Sequence, residues 1–312
     1  MKCRLILFIC LTLLIACARD PERSAAHVAD NLLEEGHLQT ALETVENSLK
    51  QFPGSPHLLR VRAMIYLKAD QTDLAYVALQ ELPTDDPALK QALRRRDPEI
   101  RAAAAKLIAE RSLPIATLEL MRGLDDSVPA VRRHCARALG NRRAREALKP
   151  LFRLLQDSDW FVRAEACAAL GEINDPRAAG WLIQLLNDGD GFVRHTAASA
   201  LRRVACEVNR NVLVDAFRRA DQPAQFSIAV ALAKLGDPLA IVPLTDAASS
   251  TNNEVRRRAA ASLGDFAAAG DVAVVASVTN ALARLLADAD ESVRDYARLS
   301  LDKFESGRTA IP

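Results

Sequence analysis

At 312 residues the chain is long enough to bury a sizeable core, and length alone suggests about two domains. Half of it is hydrophobic but only 4% is aromatic, with alanine and leucine dominant, which fits helices packed through small residues better than a sheet. Lysine and arginine number 41 against 40 aspartates and glutamates, so no global basic excess points to nucleic acid. The local balance is uneven. Residues 20–89 are acidic (Glu34, Glu35, Glu43, Glu46, Asp85, Asp86), and residues 90–149 are basic (Arg94, Arg95, Arg96, Arg132, Arg133, Arg137, Arg142, Arg143, Arg145).

The chain opens with Lys2 and Arg4, then an apolar run of eleven residues from Leu5 to Ile15. A bilayer span needs about 20 apolar residues, so this run reads as an export signal. It ends in Leu14-Ile15-Ala16-Cys17, which resembles a bacterial lipobox. The resemblance implies that residues 1–16 are removed and that Cys17 becomes an N-terminal, fatty-acylated (palmitate-type) anchor. Two or more chains, at about 0.8 kcal/mol per buried CH₂, hold a protein stably on a membrane. Ala18 after the cysteine implies the outer membrane, with the protein facing the periplasm. The alternative is an ordinary cleaved signal with an incidental cysteine. In that compartment Cys135, Cys167 and Cys206 remain, an odd number. Cys135 falls in a column of small apolar residues and is expected to be buried and inert, with a Cys135–Cys167 disulfide as the alternative. No Cys-x-x-Cys and no zinc-like Cys/His spacing occurs.

Residues 17–24 read as a polar tether. From 25 to 84 a first repeat appears: Leu32, Gly36 and Ala41 are answered 34 residues later by Tyr66, Asp70 and Ala75. Period and residue types resemble tetratricopeptide repeats. Pro83-Thr84-Asp85-Asp86-Pro87 then stops the helical pattern and marks a boundary.

A second, 31-residue period follows. It carries Ile100-Arg101, Val131-Arg132, Val162-Arg163, Val193-Arg194, a degenerate Ala224-Gln225, Val255-Arg256 and, after a seven-residue insertion, Val293-Arg294. Eleven residues before each pair stands a leucine: 89, 120, 151, 182, 213, 244, 282. Four after its first member come Ala104, Cys135, Ala166, Ala197, Ile228, Ala259 and Ala297. Eight after come Ile108, Leu139, Leu170, Leu201, Leu232, Leu263 and Leu301. Apolar positions at i, i+4, i+7 and i+8 form one face of a helix. Each unit is thus expected to be two short helices joined at an Asp-rich turn. The turn Asp, the Val-Arg pair, the small residue four on and the closing Ala138-Leu139-Gly140 or Ala169-Leu170-Gly171 resemble HEAT repeats, in the short form associated with phycobilisome (bilin) lyases. The resemblance covers residues 86–305 and leaves a tail, 306–312. The expected fold is all-α: a right-handed α-solenoid with a tetratricopeptide-like head and seven HEAT-like repeats, forming one continuous superhelix.

The recurrent polar residues are Arg101, Arg132, Arg163, Arg194, Arg256 and Arg294, with Asp126, Asp157, Asp188 and Asp288 six before an arginine. Asp97, Asp159, Asp190 and Asp290 lie four before. A carboxylate at the turn caps the second helix, and the arginine pairs with it or with the turn of the neighbouring unit. Because the pair recurs everywhere, it reads as a structural ladder rather than an anion site. Histidines 134 and 195 fall in different columns. HEAT-like repeats also carry the iron site of deoxyhypusine hydroxylase, but its His-Glu dipeptides are absent here. No nucleophile, phosphate-loop or metal-ligand motif is visible, so no catalytic residue, metal or cofactor is assigned. The candidate interaction surface is a basic ridge: Arg133, Arg137, Arg142, Arg143 and Arg145. The HEAT resemblance would place it on the concave face, where it suits an acidic partner, an anionic polysaccharide or lipid head groups. Trp160-Phe161 and Phe192 read as core packing, with an exposed edge as the alternative. The expected function is a lipid-anchored, non-enzymatic scaffold for a protein partner in the cell envelope, with no nucleic acid and no small-molecule substrate. The alternative is an enzyme or enzyme subunit of the bilin-lyase-like class.

Overall fold

The computed structural model describes residues 20–83, 86–111, 117–268 and 272–309. Among them all regular structure is helical, and no helix is long and apolar enough to cross a membrane. The chain divides into two compact units, one ending at Arg142 and one beginning at Arg143.

The first unit holds four hairpins. Helices α1 (Pro21–Glu34) and α2 (Leu38–Leu49), then α3 (Pro56–Lys68) and α4 (Thr72–Gln80), form the tetratricopeptide-like pair. Gly36 (φ +85°) and Asp70 (φ +52°), 34 residues apart, take the left-handed conformation that reverses the chain after α1 and α3. Glycine does this without strain, and a short polar side chain tolerates it. Ala41 and Ala75 are buried where the two helices of each hairpin cross. Helices α5 (Pro87–Ala92) and α6 (Pro98–Arg111), then α7 (Thr117–Gly123) and α8 (Pro129–Asn141), are the first two 31-residue units. They continue the stack within this unit. Arg60 Nε donates to Asp86 at 2.7 Å, Arg95 Nη2 to the Leu67 carbonyl at 2.6 Å, and Arg111 Nη1 to the Gln80 carbonyl at 2.9 Å. Helix starts follow the local chemistry: proline in the first turn of α1, α3, α5 and α8, and Asp86 accepting the Ala88 N–H at 2.9 Å.

The second unit holds five hairpins: α9 (Leu148–Leu154) with α10 (Trp160–Ile173), α11 (Ala179–Gln184) with α12 (Gly191–Val204), α13 (Arg210–Arg219) with α14 (Gln222–Ala233), α15 (Ile241–Ala247) with α16 (Asn253–Leu263), and α17 (Val272–Leu285) with α18 (Glu291–Thr309). The three apolar columns are the core of both units. All seven leucines of the first-helix column and all seven apolar residues of the second have no exposed surface, nor has any member of the third except half-buried Leu301. Fully burying one such leucine contributes about 2 kcal/mol, which the repeat secures seven times over. Glycine at the end of the motif lets second helices touch. A Cβ on Gly171 would stand 3.0 Å from the Ala200 Cα, backbone of α12 against backbone of α10.

Candidate protein-binding groove

The arginine of each second helix serves two masters. Its Nη1 donates to two carbonyls at the end of its own first helix: Arg163 to Asp157 (2.8 Å) and Ser158 (3.3 Å), Arg256 to Ser250 (2.9 Å) and Thr251 (3.2 Å). Arg101, Arg132, Arg194 and Arg294 do the same. The other edge of the guanidinium forks onto the aspartate of the next unit. Arg101 takes Asp126 at 2.7 and 2.9 Å, Arg163 takes Asp188 at 2.8 and 2.9 Å, and Arg256 takes Asp288 at 2.6 and 2.8 Å. That aspartate also accepts the N–H two residues on, as Asp188 does from Asp190 at 2.8 Å. The Arg163 fork holds the Asp188 carboxyl below the usual carboxylate range, and the Arg256 fork does so for Asp288. Burial alone would raise Asp126, but the fork from Arg101 and the Val128 N–H outweigh it and the net shift is downward. Where the turn holds a second aspartate, it caps the helix: Asp159 accepts the Phe161 and Val162 N–H groups at 2.8 and 3.1 Å, and Asp190 does the same for α12. The last rung survives the seven-residue insertion.

Between Arg194 and Ser250 the ladder stops. Arg219 stands in the register of Asp188, Gln225 in that of Arg194, and Ser250 in that of the next aspartate. Arg194 keeps its two carbonyls, but its fork has no carboxylate among the described residues. Gln225 Nε2 reaches only the Phe217 carbonyl of its own hairpin, at 3.3 Å. Here Val255 is half-buried, unlike its fully buried equivalents Val162, Val193 and Val293. A cleft of about 1160 Å³ opens along α15, walled by Phe217, Phe226, Leu239, Val242 and Pro243.

A groove of about 830 Å³ crosses the second helices of the same unit, α12, α14, α16 and α18. Its apolar members are Val230, Tyr296 and Leu299, the last 59% exposed. Its charged members are mostly cationic, Arg202, Arg257, Arg258 and Lys303 against Glu254, with His195 beside them. Glu254 is committed to Arg257 by a fork at 2.6 and 2.8 Å, and Arg257 lies over the Tyr296 ring at 5.2 Å. Arg202 is committed to Asp265 at 2.8 Å. Arg258 is different. Its guanidinium sits 5.3 Å from the Phe226 ring centroid and makes no hydrogen bond or ion pair with any described residue. Burial pushes its pKa down.

Residues 86–156, 117–202 and 180–264 match, in overlapping stretches, the model for HEAT repeats, together more than half of the chain. The chain belongs to the HEAT-repeat family. Residues 32–107 match the tetratricopeptide-repeat model, running from the head into the first HEAT-like hairpin. No curated protein matches. Among solved structures, a designed armadillo repeat protein in complex with the peptide (KR)4 is 22% identical, covering 70% of this chain and 99% of its own, at a TM-score of 0.48. The complex of CpcE and CpcF of phycocyanin lyase from Nostoc sp. PCC7120 is 22% identical, covering 72% and 94%, at 0.46. An engineered protein is 20% identical, covering 96% and 99%, at 0.48. Such a repeat solenoid is a scaffold suited to protein–protein interaction.

Within the HEAT framework the basic ridge divides. Arg133, Arg137 and Arg142 lie half-buried at α8 and its end, in the first compact unit. Arg143, at φ +53°, and Arg145 are exposed at the start of the second. His134, beside the ridge, is buried with Nδ1 unpartnered among the described residues. Burial first, then Arg133, Arg137 and Lys106, push its pKa down to about 4. The reading of the aromatic residues as core is overturned. Trp160 is 45% and Phe192 54% exposed, edge to face at 5.8 Å, with Phe161 stacked on Trp160 at 4.9 Å. Trp160 is the first residue of α10 and Phe192 the second of α12; both precede the buried valine column, so the helix turns them outward. Cys135, Cys167 and Cys206 are free thiols, and burial pushes the first two up to about 12, which leaves them unreactive. No cluster of three or more His, Cys, Asp or Glu suited to a metal occurs among the described residues. Cys17 and the rest of the lipobox lie outside them.

Proposed function

We propose that this HEAT-repeat chain is a non-enzymatic scaffold that holds a protein partner on the second-helix face of its hairpins, anchored in the bacterial envelope through a lipidated Cys17. The observation supporting the binding role is the groove over α12, α14, α16 and α18. It exposes Tyr296 and Leu299 on helices fixed by a fully buried column beneath, the kind of preorganised surface that binds without paying to order itself. The basic ridge around Arg133 and Arg137, in the first unit, is proposed as a separate contact surface. The anchor rests on the lipobox-like Leu14-Ile15-Ala16-Cys17.

Two measurements test this reading. Cys17→Ala is expected to abolish acylation, seen as a lower mature mass and release from the membrane fraction. An unchanged mass and location would remove the anchor. Affinity capture on the intact chain from envelope extract is expected to yield a defined partner, with reduced yield from an Arg133→Glu, Arg137→Glu variant. A purified chain that binds and transfers a bilin would replace the scaffold with an enzyme.

A further inference from the structure

We infer that the groove across α12, α14, α16 and α18 recognises an acidic, apolar-studded peptide segment of the partner, with Arg258 receiving a carboxylate. This rests on the scaffold reading above and names the chemistry of the partner at that site.

The argument begins with what the repeat does elsewhere. Wherever the ladder is intact, each guanidinium is satisfied by carbonyls on one edge and a carboxylate fork on the other. In the groove, Arg202 and Arg257 are likewise satisfied, by Asp265 and Glu254. Arg258 is the exception. It is half-buried, rests on a ring, and has neither carbonyl nor carboxylate among the described residues. A cation taken partly out of water without an acceptor is costly, and a ligand carboxylate would recover that cost on binding. The same groove carries two more polar groups without an acceptor among the described residues, His195 on α12 and exposed Lys303 on α18. Its one carboxylate, on Glu254, is already neutralised. The field presented to a ligand is therefore positive along α16 and α18, where Arg258 and Lys303 stand.

The floor selects among anions. Val230, Ala261 and Leu299 occupy one column on successive second helices, beside Tyr296. An apolar strip between cations fits a chain whose side chains alternate acid and hydrocarbon. A sulfated polysaccharide or a nucleic-acid backbone would leave that strip without an apolar partner. The column holding Arg258 reads Glu165, Thr196, Ser227, Arg258, Tyr296 from one second helix to the next, so the cation belongs to this one place and not to the repeat.

The test uses the intact chain and two fluorescein-labelled peptides, (Glu-Leu)4 and (Lys-Leu)4, followed by fluorescence anisotropy with heparin as competitor. (Glu-Leu)4 is expected to bind and (Lys-Leu)4 not. Arg258→Gln is expected to weaken (Glu-Leu)4 about tenfold, the loss of one charge-assisted hydrogen bond, and Lys303→Glu severalfold, each at unchanged Tm. Lys303 is on the exposed side of α18, so it keeps the test valid should the Arg258 variant unfold. Equal binding of the two peptides, displacement by heparin of wild type and Arg258→Gln alike, or no response to either substitution would overturn the inference. Partner capture from extract that is the same for wild type and Arg258→Gln would also overturn it while leaving the scaffold standing. No capture by the wild type would instead remove the scaffold reading itself.

Discussion

Two stretches of the second compact unit are built on one 31-residue plan and differ at a single kind of contact. At Arg163 the guanidinium ties its own turn to Asp188 of the next hairpin, and the two side chains are 18% and 10% exposed. One unit later, Arg194 holds its own turn and faces the register of Arg219, which is 80% exposed and near only Asp215. The apolar columns do not notice. Leu213, Ile228 and Leu232, all in the hairpin without a rung, are as fully buried as their counterparts. The core and the ladder are thus separable devices. The columns determine that hairpins stack, and the rungs determine how tightly the turn edge of one hairpin is held to the next. Where the rungs are missing, the turn edge opens into a cleft and a valine of the core column becomes half-exposed.

The largest effect expected from this contrast lies at the two equivalent positions. Asp188→Ala leaves the Arg163 fork without an acceptor in a partly buried place and is expected to cost about 3 kcal/mol. Arg219→Ala, at the same register one hairpin on, is expected to cost about 0.5 kcal/mol or less. Urea denaturation of both variants measures the difference, and equal midpoints would mean the rung contributes nothing. The contrast can also be erased. Arg219→Asp offers the Arg194 fork a carboxylate and is expected to stabilise the protein by about 1 kcal/mol, read as a raised Tm. A lowered Tm would show that the fork is not directed across the hairpin interface.

The smallest effect compares the two compact units by pH. In the second, the carboxyls of Asp188 and Asp288 sit below their ordinary range, so the stability they contribute is present at neutral pH and lost only in acid, as pH falls below the ordinary carboxylate range. In the first, His134 is pushed down to about 4 from an ordinary value of 6.5. Between those values the unfolded chain binds a proton that the folded chain does not, so stability falls as pH drops through that window. His134→Leu is expected to remove that slope between pH 6.5 and 4 while leaving the steeper acid limb. Urea titrations at three pH values across the window would show it, and an unaltered slope would assign the pH dependence to other groups.

The helical plan was open to a reader of the sequence because a column of leucines every 31 residues has one physical meaning, a repeated buried face. Leu301, half-buried on α18, is the one member that departs from it. The direction of the arginine fork was not open. Arg163, for example, lies six residues after Asp157 of its own turn and 25 before Asp188 of the next, and only the stacked geometry shows that the carbonyl of the former and the carboxylate of the latter share it. Arg258 was invisible for the opposite reason. It obeys no period, so pattern reading passes over it, and its lack of an acceptor is a property of space. The only signal nearby was the missing arginine at Gln225 and the reversed charge at Arg219. Trp160 and Phe192 were misjudged because aromatic residues beside a buried column look like core until the helix start places them.

A stack of repeated hairpins has a stability that is, to a first approximation, a sum of local terms and couplings between adjacent bricks. The missing carboxylate at Arg219 and the missing arginine at Gln225 weaken two adjacent couplings and spare the rest. At the turn edge the second unit is held least on either side of the α13–α14 hairpin, while Lys234 still ties α14 to the Arg203 and Ala205 carbonyls at the end of α12, at 2.8 and 2.9 Å; a partner bridging the two open joints would act as their splint.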